Sequence, residues 1–280
     1  MHTALLRLAP PLAALLPFAP AMQGPAASQG NTTPAKESAS ARPTSPPFTF
    51  TLNGNNFVYT DAQTTFTGIF VKPAGNGPFP AAIVSHGQGG SASGYSLSKA
   101  QEFLPWGVVS IAPNYTHAAG GETAPATTGN CPENVARGLK CWNVLKSLPY
   151  VDAGKIVLWG HSKGAYVTIG LAAAAPGAFA AAGMSAGGIV PDAAGTGVSA
   201  PTTTEASPVH APFIMFHGDA DPVVPPVQSL QFQQLLDAHA VANSRILYAT
   251  DQHNLHQVPS INADMLAKWK SWLQTHGVVP

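Results

Sequence analysis

Three residue types in one order could together cleave an acyl bond: Ser162, an aspartate at 219 or 221, and a histidine at 253 or 256. A serine hydroxyl becomes an effective nucleophile only when an imidazole takes its proton. The imidazole needs a carboxylate to hold its tautomer and to stabilise the imidazolium. Ser162 lies in Gly160-His161-Ser162-Lys163-Gly164, a G-x-S-x-G pattern with the apolar run 156–159 before it and a helical stretch after it. That setting fits a sharp strand-to-helix turn, with glycines where Cβ atoms would collide and the serine standing clear of the sheet. An ordinary strand-to-helix turn could carry the same glycines. The downstream Asp and His, each after its own apolar run, are what make the serine a catalytic candidate.

The elements that must position these residues are legible as alternating strands and helices. Residues 48–59 and 64–71 alternate apolar and polar side chains, with Asn53-Gly54 and Asp61-Ala62 as turn signals, and read as edge strands or a hairpin. The unbroken apolar run 79–85 suits a strand covered on both faces. It ends in His86-Gly87-Gln88-Gly89-Gly90, where backbone N–H groups are free to face a developing anion. A helix over 98–105, a strand over 107–114 and a loop over 115–130 follow. Val135, Leu139, Trp142, Leu145 and Leu148 set a helix over 132–148, stopped by Pro149. Asp152 to Lys155 lead into the strand before Ser162. Beyond it come a small-residue helix at 165–175 and strands at 179–185, 213–218 and 245–248. Helices at 229–239 and 262–274 complete the pattern. Residues 186–211, mostly Gly, Ala, Thr, Pro and Ser, form a loop or thin cover rather than a large lid. The fold class is α/β: a doubly wound, mostly parallel sheet with helices on both faces. In such sheets reactive side chains sit beyond the carboxyl ends of strands, and all three candidates fall there.

From about Thr64 onward the chain resembles the α/β-hydrolase superfamily, most nearly its dienelactone hydrolase-like branch. The carrying motifs are His86-Gly-Gln-Gly-Gly90, Gly160-His-Ser-Lys-Gly164, His217-Gly-Asp-Ala-Asp221-Pro-Val-Val-Pro and His253-Asn-Leu-His256. Dienelactone hydrolases usually carry cysteine as nucleophile. Ser162 departs from them and favours a serine esterase over a lactone hydrolase. The resemblance implies Asp221 as the triad acid, with Asp219 left to a turn. It implies His253 as the base, although Gln252 stands where the family usually has glycine, and His256 is the alternative. The oxyanion hole is expected from the backbone N–H groups of Gln88 and Lys163.

Other residues receive plainer readings. His161 packs or hydrogen-bonds rather than reacts. His86 and His217 bond to neighbouring loops. Tyr115 and His117, after a strand end, are candidates to line a substrate pocket. Trp106, Trp142 and Trp159 belong to the core.

Residues 1–21 read as a signal peptide: one positive charge, a short apolar segment and the small-x-small Ala19-Pro20-Ala21. A secreted or periplasmic protein is therefore expected. Residues 22–47, rich in Pro, Ala, Ser and Thr, read as a disordered linker, and 48–280 as the hydrolase domain. The apolar segment is too short for a membrane span. With zero net charge and 9% charged residues the chain has no electrostatic footprint for nucleic acid. No metal-binding spacing occurs and no cofactor is expected. An exported chain with two cysteines invites a bridge between Cys131 and Cys141. On one continuous helix they would stand ~15 Å apart, so a bridge requires Cys131 to fold back in a loop. The expected function is hydrolysis of a small-molecule or polymeric carboxylic ester through an acyl-serine. A peptidase or thioesterase on the same triad, or a non-catalytic binding protein of this fold, are the alternatives. The oligomeric state is not legible.

Overall fold

Strand β1 (Thr49–Asn53), β2 (Asn56–Thr60) and β3 (Thr65–Val71) form an antiparallel meander that enters the sheet through β5 (Val109–Pro113). The computed structural model describes residues 47–195 and 197–280. The expected signal peptide at 1–21 and all of the 22–47 linker except Pro47 lie outside the described residues. Between β3 and β5 come β4 (Phe79–Ser85) and helix α1 (Leu97–Phe103). Helix α2 (Pro132–Ser147) precedes β6 (Val151–His161), which gives way at once to α3 (Lys163–Ala174). The chain continues through β7 (Ala181–Ser185), α4 (Thr203–Ala206), β8 (Phe213–Gly218) and α5 (Val227–Ala238). It closes with β9 (Asn243–Tyr248) and α6 (Pro259–Thr275).

The described strands form a nine-stranded sheet in the order β1-β2-β3-β5-β4-β6-β7-β8-β9, parallel from β5 onward. The expectation of a mostly parallel, doubly wound α/β sheet holds. Alternation along β6 explains the layering. Ile156 and Leu158 pack with Leu145, Leu171 and Phe232, from α2, α3 and α5. Val157 and Trp159 point the other way, into a layer with Phe103 of α1 and Met265 and Trp269 of α6. Each face is covered, which is why these strands read as continuous apolar runs.

Several expectations need correction. β6 begins at Val151, so the Asp152–Lys155 lead-in is part of the strand. A π-type turn over Ala92–Ser96 runs into α1 and starts the helical segment before residue 98. Between β7 and β8 the chain is a thin packed cover. Thr202 caps α4 with Glu205 in a capping box, and Ile189, Ala206 and Val209 are buried. Trp159 is core, whereas Trp106 and Trp142 are only half-buried, against Phe103 and Phe179.

The disulfide expectation is overturned: Cys131 and Cys141 are free and buried. Cys131 is the residue before the first turn of α2 and Cys141 lies within that helix. Ten residues along one helix span ~15 Å, and disulfide Cα atoms must lie within ~7 Å. Cys131 does not fold back, so the bridge cannot form. Burial also pushes the Cys141 thiol pKa up, away from reactivity.

Candidate active site

The nucleophile candidate is set by close packing at the end of β6. A Cβ on Gly160 would stand 2.2 Å from the Gly164 carbonyl oxygen, and one on Gly164 would stand 2.2 Å from that of Ser85. Only glycine lets strand, turn and helix approach so closely. Ser162 itself adopts φ 55°, ψ −123°, a left-handed conformation that costs about 1–3 kcal/mol in a non-glycine residue. The turn is held by the Ser162 N–H bond to Ser185 O at 3.0 Å and by Ala165 N–H to Ser162 O at 2.8 Å.

Asp221 and His253 reach Ser162 from the ends of β8 and β9. Ser162 Oγ–H donates to His253 Nε2 at 2.9 Å, and His253 Nδ1–H donates to Asp221 Oδ2 at 2.8 Å. The Asp221 carboxylate is fully buried. Its other oxygen accepts the backbone N–H groups of Val223 (2.8 Å) and Val224 (3.0 Å). A buried anion requires such partners. Two N–H groups and an imidazole satisfy it, and they fix the carboxylate plane toward His253. Asp219 instead accepts from Thr250 N–H at 3.0 Å, pinning the turn after β9.

His256 does not reach Ser162 in the hydrogen-bonded set. Its ring packs edge-on against Tyr95 (4.8 Å) and His161 (4.7 Å) at the cleft wall. Burial and the nearby Lys99 ammonium lower its pKa to about 4. Of the two histidines, His253 is the one within hydrogen-bond distance of Ser162.

The glycine-rich loop after β4 faces the same point. A Cβ on Gly87 would lie 3.1 Å from Ser162 Cβ, so the next residue's N–H is beside the nucleophile. Among the described residues neither Gln88 N–H nor Lys163 N–H bonds a backbone carbonyl. Both side chains are anchored elsewhere: Gln88 Nε2–H donates to Glu122 O (3.2 Å) and Lys163 Nζ to Thr128 Oγ1 (2.9 Å). Gln88 lines a cleft of about 480 Å³ together with Ser162, His253 and Val223, and Lys163 directly follows Ser162 at its edge.

Tyr115 and His117 do not line this cleft. Tyr115 is buried, its hydroxyl 2.8 Å from Ser85 Oγ. His117 is wholly buried and braces the glycine-rich loop. Its Nε2–H donates to His86 O (3.0 Å), its carbonyl accepts from Gly89 N–H (3.0 Å), and Nδ1 accepts from Asn134 Nδ2 (3.2 Å). Burial lowers its pKa to about 3, keeping it neutral. The strand-end position suggested a pocket residue, but the ring turns inward because the loop carbonyl needs a donor. Asn134, which fixes this tautomer, was missed by sequence reasoning; a buried amide on the first turn of α2 leaves no periodic signal. His86 and His217 bond neighbouring loops as expected: His86 Nε2 accepts from Tyr115 N–H (3.2 Å) and His217 Nε2–H donates to Val224 O (2.9 Å).

The profile of a family described as phospholipase/carboxylesterase matches residues 135–277, over half of the chain. The chain belongs to this family. Its fold is the α/β-hydrolase fold, also found in solved structures. A thermophilic esterase from Thermogutta terrifontis with propionate bound superposes with TM-score 0.64 at 15% identity, over 84% of this chain and 96% of that one. The Pyrococcus horikoshii acylaminoacyl peptidase gives TM-score 0.64 at 17% identity, over 81% of this chain but only 41% of the peptidase. Porphyromonas gingivalis dipeptidyl peptidase 4 gives 0.56 at 20% identity, over 79% and 35%. The chain thus spans well under half the length of these two peptidases. No curated protein sequence matches the chain significantly. At 20% identity or less, these structures show the shared fold. Among the described residues no group of side chains could hold a metal ion, and no helix is long and apolar enough to cross a membrane.

Proposed function

We propose that the protein is a serine esterase that cleaves carboxylic esters through an acyl-serine intermediate, with Ser162, His253 and Asp221 as its catalytic triad. The observation that carries this reading is the unbroken chain of hydrogen bonds from buried Asp221 through His253 to Ser162. In the first half-reaction His253 takes the Ser162 proton as the oxygen attacks the ester carbonyl. The oxyanion forms toward the N–H groups of Gln88 and Lys163, each worth ~3 kcal/mol in the transition state. The imidazolium, stabilised by Asp221, then protonates the departing alkoxide. Water repeats the sequence on the acyl-serine, and Ser162 recovers its proton.

An ester is favoured over a peptide by the chemistry of the cleft. Among the described residues, those lining it include no Asp, Glu, Lys or Arg. An exopeptidase that reads a free amino terminus needs an anion to meet the ammonium. The likeness to dienelactone hydrolases rests on the motifs, and the serine nucleophile directs the reading toward simple esters. We also propose export, supported by the charge, apolar segment and small-x-small site of residues 1–21.

Replacing Ser162 by alanine should abolish turnover of p-nitrophenyl acetate and leave the melting temperature unchanged or higher, since alanine substitution removes only an oxygen. Full turnover in that variant would overturn the assignment. Initial rates on matched ester, thioester and peptide substrates rank the competing activities. Failure of a fluorophosphonate probe to label Ser162 would favour a binding protein.

A further inference from the structure

His161 has no role in the triad, yet it is 4% exposed and both of its ring nitrogens are engaged. Nε2 lies 3.0 Å from Asn254 Oδ1, and Nδ1 lies 3.0 Å from Ser185 Oγ. An amide oxygen can only accept, so Nε2 carries the proton and Nδ1 accepts from the Ser185 hydroxyl. Burial, together with the neighbouring His256 and His253, holds the His161 pKa well below its ordinary value, so the ring stays neutral. Its partner Asn254 immediately follows His253. The segment carrying the base is otherwise tied down by buried Leu255 and by short turn bonds from Leu255 N–H to His253 O and Gln257 N–H to Asn254 O. The His161 and His253 rings also lie 5.1 Å apart.

We propose that His161 is a positioning residue for the base: through Asn254 it fastens the segment carrying His253 to the strand end that carries Ser162. The nucleophile and base are then joined by a link that does not pass through Asp221. Three parts follow from the geometry. The strand end supplies Ser162 and His161 as neighbours, β7 supplies Ser185 to orient the ring, and Asn254 transmits the position to His253. Ring packing alone would be met by phenylalanine; the two hydrogen bonds would not.

The proposal rests on the triad reading, so Ser162→Ala is the control. The decisive variants are His161→Phe, Asn254→Ala, their double mutant, and Asn254→Asp, which keeps an acceptor oxygen. Displacement of a catalytic group by about 1 Å costs on the order of 100-fold. We therefore expect His161→Phe and Asn254→Ala each to lower kcat for p-nitrophenyl acetate by about 10- to 100-fold, with KM nearly unchanged. The double mutant should be no slower than the slower single, because both break one link. Asn254→Asp should recover most of the kcat lost in Asn254→Ala. Full kcat in Asn254→Ala, or multiplied losses in the double mutant, would overturn the proposal while leaving the triad intact. Turnover persisting in Ser162→Ala would instead overturn the triad itself. If His161→Phe does not fold, the Asn254→Ala and Asn254→Asp pair decides alone.

Discussion

Asp221 is held by two backbone N–H groups as well as by His253, so its geometry is set before the imidazole arrives. Replacing it with asparagine would present an amide whose N–H₂ favours the wrong histidine tautomer. We expect Asp221→Asn to lower kcat by about 10⁴-fold, with melting temperature changing far less than activity. His253 and His256 separate in the same assay. His253→Ala should lose at least about 10³-fold in kcat, whereas His256→Ala should stay within about tenfold, because its ring is wall and not base. The sequence alone left these two histidines open, since only two residues separate them and either could swing toward a strand end. What resolves them is the packing of His256 between Tyr95 and His161, a contact among residues more than 90 positions apart. Tyr115 and His117 lie away from the Ser162 cleft for a related reason. A strand end marks where a residue emerges, while the direction of its side chain depends on the unsatisfied groups it meets.

At the scale of elements, the turn between β6 and α3 is a tight steric constraint at the nucleophile candidate. Gly160→Ala and Gly164→Ala each drive a methyl into a backbone carbonyl at 2.2 Å. Backbone cannot yield as a flexible side chain does, so each should destabilise the protein by about 2–3 kcal/mol. The check is the urea midpoint at constant m-value. This part of the fold was legible: a G-x-S-x-G flanked by an apolar run and a helical stretch specifies the turn through steric exclusion, a local effect. The core strands were legible as well, because burial on two faces imprints itself on consecutive residues. The antiparallel meander was legible through its alternation. The π-type turn at Ala92–Ser96 was not, since its register is set by Ser91 capping Gly94 N–H and by Asn114, the residue after β5, accepting Ala92 N–H.

The whole molecule carries several neutral histidines away from water. His86 and His117 titrate at about 4 and about 3 when folded, against 6.5 unfolded, chiefly because burial opposes charge. As pH falls below 6.5 the unfolded chain binds protons that the native state refuses, so stability falls with pH and levels off only below the folded values. Between pH 7.5 and 5 the two groups should together remove a few kcal/mol, about 2 kcal/mol each, read as a lower urea midpoint at pH 5. The free thiols make a separate prediction. Dithiothreitol should leave the melting temperature unchanged, and a thiol reagent should titrate both cysteines only after unfolding. An expected export signal with one cysteine pair suggests a bridge, which is a compartment argument. Helix geometry is the stronger constraint, and it decides.

The order of strands places Ser162 just past the central strand β6 and His253 just past β9, the last strand of the described sheet. Residues of β6 from Ile156 to His161 are all buried, while none of β9 is. The reaction therefore depends on one part from the most protected region of the protein and one from its margin. Such regions open with different free energies. In rising urea the margin should loosen first, and the protein should pass through a condition in which it is still folded by circular dichroism but no longer turns over. Working lifetime would then be governed by the periphery, and reinforcing β9 and its flanking helices would prolong activity more than any improvement to the core.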